Sequence, residues 1–211
     1  MKSGLLAAGF DFGGAAADEF NDWYDTEHIP ERRRIRGFIT ARRWIGAEDP
    51  KISIALYDLD GVEVLQSPAY RAIAGANLSP WSKRLIGQCR RLLRFEGEQT
   101  LPQGQIPDVD SAAMLLFGMN VVPAAEQEFN AWYDEEHVPR LSAVPGCLGA
   151  RRFRSTGTSP KYLALYHLSA PEVVSTKIWE QAAVTPWTLK LRPHTSDRLR
   201  IVLRRYQPPA R

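Results

Sequence analysis

The feature that most constrains this chain is a near copy of one of its own segments. Glu128-Phe129-Asn130-Ala131-Trp132-Tyr133-Asp134-Glu135-Glu136-His137-Val138-Pro139 follows Glu19-Phe20-Asn21-Asp22-Trp23-Tyr24-Asp25-Thr26-Glu27-His28-Ile29-Pro30 by 109 residues, and nine of the twelve positions are identical. Trp, Tyr, His and Pro are uncommon residues, so coincidence is a poor account. A tandem duplication explains the match, and a repeat must be settled before any fold is assigned. Within 211 residues it divides the chain into repeat 1 (residues 1–96), a linker (97–111) and repeat 2 (112–211). Each repeat is near the size at which an isolated core is marginal, so the two are expected to pack on one another.

Apolar patterning then predicts the order β-α-β-β-α-β in each copy. In repeat 1 the strands fall at about Gly4 to Phe10, Phe38 to Trp44, Ile52 to Leu59 and Cys89 to Phe95. A first helix spans about Ala15 to His28. Phe20, Trp23, Tyr24 and Glu27 share one of its faces, and Pro30 is expected to stop it. A second helix spans about Val62 to Ala74, with Trp81 in the loop beyond. Repeat 2 restarts the pattern at about Ala112, with Trp187 in the place of Trp81. The fold class is therefore α+β, two tandem ferredoxin-like repeats forming an intramolecular α+β barrel. Two sheets facing one another would leave room for a ligand between them.

Composition narrows the function classes. The chain is 44% hydrophobic and 24% charged with a net charge of +3, which is ordinary for a globular protein. Arginine doublets without a long basic run give little support to nucleic-acid binding. Cys89 and Cys147 occupy non-equivalent places in the two copies and belong to no C-x-x-C pattern, which argues against zinc and a disulfide framework. A reducing, cytoplasmic location is expected. Leu5 to Phe10 aligns with the internal Met114 to Met119, so it reads as a strand rather than a leader. No stretch is long and apolar enough to span a membrane. No metal-ligand spacing, phosphate loop or nucleophile elbow is present, and neither a metal nor a cofactor is expected.

The motif Trp-Tyr-Asp-x-Glu-His-x-Pro, the Pro145-Gly146 turn, the Arg-Arg-aromatic strand and the later Pro-Trp pair resemble the dimeric α+β barrel superfamily. Within it they are similar to EthD-like proteins, methylmuconolactone methylisomerases and some polyketide cyclases. The superfamily also holds monooxygenases and haem proteins. The resemblance implies that His28 and His137, at the end of the first helix, act as acid/base. It also implies a Tyr on strand two, where this chain has Ala41 and Ala150; Tyr57 and Tyr166 on strand three are the phenols within reach.

The residues themselves add further candidates. Asp25 and Asp134 could hold the imidazoles in one tautomer, or be solvated helix charges. Glu27 and Glu136 could pair with the strand-two arginines. Arg43 and Arg152 are expected on the inter-sheet side, where an unpaired guanidinium is costly, so each needs an internal acid or a substrate carboxylate. Tyr24, Tyr133, Trp81, Trp187 and His167 complete the substrate-binding set. His167 stands where the first copy has Asp58, so the halves differ chemically. The leading expectation is a cofactor-free acid–base enzyme. It would be an isomerase, with cyclase, lyase or ester-hydrolase variants, acting on a small carboxylated or cyclic metabolite such as a lactone or an aromatic ring-cleavage product. The alternatives are a non-catalytic ligand-binding barrel and a haem- or oxygen-using member. The expected partner is a small molecule, with neither nucleic acid nor membrane involved; a homodimer of the fused pair is the further assembly open to the chain.

Overall fold

The computed structural model describes residues 3–103 and 109–208. The chain forms two compact units, Met1–Glu98 with Tyr206–Arg211, and Gln99–Arg205. The first holds β1 (Gly4–Asp11), α1 (Ala17–Trp23), α2 (Ile29–Arg33), β2 (Arg42–Gly46), β3 (Ile52–Leu59), α3 (Pro68–Arg71), α4 (Pro80–Gln88) and most of β4 (Arg90–Leu101). Strand β1 lies antiparallel between β3 and β4, and β2 flanks β3. The second unit repeats this with β5 (Ala113–Val121), α5 (Glu126–Trp132), α6 (Val138–Ser142), β6 (Cys147–Ser155), β7 (Tyr162–Leu168), α7 (Lys177–Ala183), α8 (Pro186–Leu191) and β8 (Thr195–Arg205). There β5 lies between β7 and β8, and β6 flanks β7.

Alternation along the strands sorts the side chains. Leu6 lies opposite Tyr57, and both join Phe10, Phe20, Trp23 and Tyr24 in the core under the helices. Leu5, Ala7, Trp44 and Ile54 alternate onto the other face and are equally buried. Both faces of the sheet are thus covered.

Four expectations change. First, Pro30 does not stop the helix. Tyr24–His28 and Tyr133–His137 form a π-turn, and helix resumes at Ile29 and Val138 with the proline in its first turn. A first-turn proline gives up no hydrogen bond that the wider turn still needs. Second, β2 begins at Arg42 rather than Phe38. The N–H groups of Ile39 and Thr40 both turn to Asp58 O (2.8 and 3.4 Å), which breaks the regular ladder. Third, the second helix is split. Val62–Gln66 is a 3₁₀ turn, and Ser67 with Pro68 restarts the chain as α3. Helices α4 and α8 were not foreseen, although each is announced by a cap followed by proline. Ser79 Oγ accepts from Ser82 N (2.9 Å) and Thr185 Oγ1 from Thr188 N (3.1 Å); both are standard N-cap bonds. Fourth, part of the predicted linker is strand, since β4 runs to Leu101; residues 104–108 of that linker lie outside the described residues.

Each unit also takes in residues from beyond its own repeat. In the second unit, Arg151 Nε and Nη2 donate to Gln99 Oε1 (2.9 and 2.8 Å), and Thr100 Oγ1 donates to Arg152 O (3.2 Å). In the first, Tyr206 N donates to Arg43 O (3.1 Å), and its hydroxyl donates to Asp25 Oδ2 (2.8 Å).

Candidate functional site

The repeated motif places its histidines through the π-turn. Ile29 N–H reaches back five residues to Tyr24 O, and Val138 N–H to Tyr133 O. An extra residue per turn shifts the helix phase, and such turns recur at functional sites. The exposed Thr26 and Glu135 bulge outward, while Trp23, Tyr24 and His28, like Trp132, Tyr133 and His137, face inward. Each imidazole rests on its tryptophan at 4.2 Å between ring centres, with the tyrosine edge 5.0 or 5.2 Å away.

Each unit has a cavity on the helix side of its own sheet. The first, of about 280 Å³, is bounded by Leu6, Ala8 and Tyr57 on the strands and by His28 and Arg32 on the helix. The second, of about 240 Å³, has Leu115, Phe117 and Tyr166 facing His137 and Leu141. Both cavities are bounded by one sheet and the helices that cover it, not by two facing sheets.

Burial sets the electrostatics. It holds the His28 imidazole well below its ordinary pKa, with the Arg32 charge adding to the effect. It lowers His137 to about 3, with Arg152 as the second cause. Burial raises Tyr57 to about 12 and Tyr166 well above the usual phenol range. At neutral pH each cavity therefore presents a neutral imidazole and a protonated phenol. His28 Nδ1, His137 Nδ1 and the hydroxyls of Tyr57 and Tyr166 are buried with no hydrogen-bond partner among the described residues. Such a group costs about 1–3 kcal/mol when left unpaired; Tyr24 Oη and Trp44 Nε1, whose residues line neither cavity, are unpartnered in the same way.

The other candidates fall elsewhere. Arg43 and Arg152 face the first helix of their units, not an inter-sheet space. Arg43 pairs with Asp25 (3.7 Å), donates to Asn21 and to Ser53 Oγ (3.0 Å), and lies over the Tyr206 ring (3.9 Å). Arg152 donates to Asn130 Oδ1 (2.6 Å) and Asp134 Oδ1 (3.1 Å) and stacks on Tyr133 (4.3 Å). Each guanidinium thus has an internal acid beside it, Asp25 or Asp134, while Arg43 Nη1 and Arg152 Nε have no hydrogen-bond partner among the described residues. The same bonds occupy Asp25 and Asp134, so neither orients a histidine. Glu27 accepts from Ser79 and Ser82 (2.5 and 3.1 Å) and Glu136 from Thr185 (2.5 Å); they tie the motif to the α4 and α8 caps rather than to the arginines. Tyr24 and Tyr133 sit behind the imidazoles and do not line the cavities. Trp81 and Trp187 lie on helices, not loops, and donate to Glu19 (3.2 Å) and Glu128 (3.1 Å). His167 points to the opposite face of β7, where Nδ1 meets Ser111 Oγ (3.0 Å). Sequence reasoning missed Arg32, Tyr70 and Trp179 as cavity residues. A helix that stops at Pro30 leaves Arg32 outside it; the position of Arg32 four residues after His28 is the available signal.

Among the described residues no cluster of three or more His, Cys, Asp or Glu could hold a metal ion, and no helix is long and apolar enough to cross a membrane. No family model matches the sequence, and no curated protein does. Solved structures do align with it. An anthrone oxidase-like protein superposes with a TM-score of 0.64 at 10% identity, covering 98% of this chain and 92% of that one. Chlorite dismutase from Candidatus Nitrospira defluvii, in complex with imidazole, gives 0.63 at 11% identity, covering 97% and 91%. A haem-binding protein from Thermus thermophilus gives 0.55 at 12% identity, covering 98% and 92%. These relatives do not support the expected EthD-like, isomerase or cyclase kinship. At such identities the likeness shows the fold alone: a mixed α/β chain in which each unit carries four antiparallel strands, in the order β4-β1-β3-β2 in the first and β8-β5-β7-β6 in the second.

Proposed function

We propose that this protein, built as a pair of ferredoxin-like repeats, is an oxygen-using oxidase of a small, largely apolar substrate bound in its helix-side cavities. The observation that carries this reading is the paired constellation of an unpartnered, neutral imidazole and an unpartnered, protonated phenol in a mostly apolar cavity, built twice. The oxidase-like and haem-binding relatives support oxygen chemistry over the isomerase or cyclase reading.

Haem does not fit these cavities as well. About 240–280 Å³ falls below even the ~300–1,000 Å³ of pockets for drug-sized ligands. A metal-binding imidazole also needs its second nitrogen held by a carboxylate or carbonyl, yet Nδ1 of His28 and His137 has no such partner, and Asp25 and Asp134 are engaged by Arg43 and Arg152. No step is therefore assigned to haem.

The chain's own residues suffice for a substrate with an acidic C–H. His28 or His137 takes one proton from a CH₂ group, and Tyr57 or Tyr166 donates a hydrogen bond to the oxygen on which negative charge develops. An anion formed beside the imidazole favours its charged form, offsetting the burial that otherwise keeps it neutral. The carbanion passes one electron to dioxygen, and the resulting radical and superoxide combine into a peroxide anion. The imidazolium returns its proton to the peroxide, and loss of water leaves a carbonyl. In sum, CH₂ and O₂ become C=O and H₂O.

Oxygen uptake with anthrone as the probe tests the reading. The wild-type protein is expected to consume oxygen above the buffer rate, and the double variant His28→Gln, His137→Gln to lose about 10²-fold or more. An unchanged rate in that variant overturns the mechanism. Titration with haemin is expected to give no saturable Soret band; a band saturating at one equivalent would favour the haem reading instead.

A further inference from the structure

The two cavities are equivalent in position but not in chemistry. The repeat offset that matches His28 with His137 also matches Arg32 with Leu141, and each lines the cavity of its own unit. Arg32 is only 4% exposed. In the second cavity the arginines present, Arg192, Arg198 and Arg200, are all exposed. A further exchange accompanies this one: Ala8 of the first cavity corresponds to Phe117 of the second. The first cavity is thus roomier beside a buried cation, and the second is narrowed by an aromatic ring.

We propose that the first cavity binds a small organic anion, its carboxylate held by Arg32, while the second takes a neutral apolar molecule. The charge balance supports this. Arg32, Arg91 and Arg94 all line the first cavity, and among the described residues no Asp or Glu does. Arg94 is matched by Glu96 (2.5 Å) and also donates to Tyr70 Oη (3.1 Å). Arg32 donates one N–H to His28 O (2.9 Å), and its nearest acid, Glu31, stands 3.6 Å away and partly exposed. A guanidinium has five N–H donors in a planar fork, so donors remain for a bidentate carboxylate. The Tyr57 hydroxyl, which has no partner among the described residues, adds a neutral donor on the facing strand. A ring fits the apolar remainder formed by Leu6, Leu78, Ile86 and Leu93.

This inference does not rest on oxygen chemistry, because binding alone reads it out. Calorimetric titration of the full chain with 2-naphthoate and its neutral isostere 2-naphthamide is the experiment. The wild-type protein is expected to bind naphthoate at least 10-fold more tightly than naphthamide. Arg32→Leu, which installs the residue of the other repeat, is expected to erase that preference and keep naphthamide binding. Location is tested at the equivalent, half-buried positions Ala74 and Ala183: Ala74→Phe is expected to abolish naphthoate binding and Ala183→Phe to leave it. Should Arg32→Leu fail to fold, the isostere ratio and this pair of variants still decide. Equal affinity for the two probes, a preference surviving Arg32→Leu, or loss of naphthoate in Ala183→Phe alone would overturn the proposal.

Discussion

A buried imidazole kept neutral is a liability in acid, and each copy of the motif carries one. His28 is 5% exposed and His137 7%, and both are pushed below the ordinary value near 6.5. In the unfolded chain each binds a proton as pH falls through that value, while the folded chain resists until the lowered pKa, about 3 for His137. Stability is therefore complete above about pH 6.5 and declines below it, by up to ~1.4 kcal/mol per pH unit for each imidazole. Urea unfolding at pH 7.5 and pH 5 is expected to show this loss, and the His28→Gln, His137→Gln variant to lose less. A second residue-scale prediction concerns Arg152. It is 2% exposed and fastened to Asn130, Asp134 and the Tyr133 ring. Arg152→Ala is expected to cost ~2–4 kcal/mol in denaturant unfolding, chiefly from lost packing and an unpaired Asn130. A substrate-binding role would instead have predicted a weaker ligand at unchanged stability. At this scale the sequence was informative about residue types and misleading about directions. Arg43, expected on the inter-sheet side, faces the helix instead, because apolar residues buried on both sides of the sheet did not say which side the helix covered.

Among the elements, the π-turn was the one that alternation and helical periodicity could not reveal. Twelve aligned residues announced a helix twice, but a phase of about 100° per residue put His28 at the edge of the apolar stripe of Phe20, Trp23 and Tyr24 rather than inside it. The reason is local: the carbonyl of Tyr24 pairs five residues ahead, and nothing in the composition of the stretch distinguishes that from ordinary pairing except the proline after it. The exposed Thr26 and Glu135 are the residues whose removal would restore an ordinary turn. Deleting Glu135 is expected to swing His137 out of its cavity and to abolish ligand-induced quenching of Trp132 in that unit, while far-ultraviolet dichroism stays close to wild type. Unaltered quenching would mean that the π-turn does not place the histidine. The caps were legible and went unread. Ser79-Pro80 and Thr185-Pro186 carry both marks of a helix start, but each was read as a break because a predicted helix had just ended upstream.

At the scale of the molecule, the duplication could be read from one repeated motif and the four strands of each copy from apolar patterning; the number of helices and where each repeat ends could not. A boundary placed by loss of periodicity fell at 97–111, whereas Gln99 and Thr100 serve the second unit and Tyr206 the first. Tyr206 covers Arg43, accepts Arg43 as a cation on its ring and bonds to Asp25. Tyr206→Ala is expected to lower the stability of the first unit by ~1–3 kcal/mol, read as faster amide exchange in β2 and β3 with β5 and β7 unchanged. Equal acceleration in all four strands would show that the residue supports the whole chain rather than one unit.

That exchange of segments has a genetic consequence. A duplicated gene can ordinarily shed its spare copy by deletion. Here, a deletion that removes either half also takes a strand end or a ring out of the half that stays. Once joined in this way the copies are inherited together. A change such as arginine at 32 against leucine at 141 can then accumulate in one pocket while the twin continues its original task.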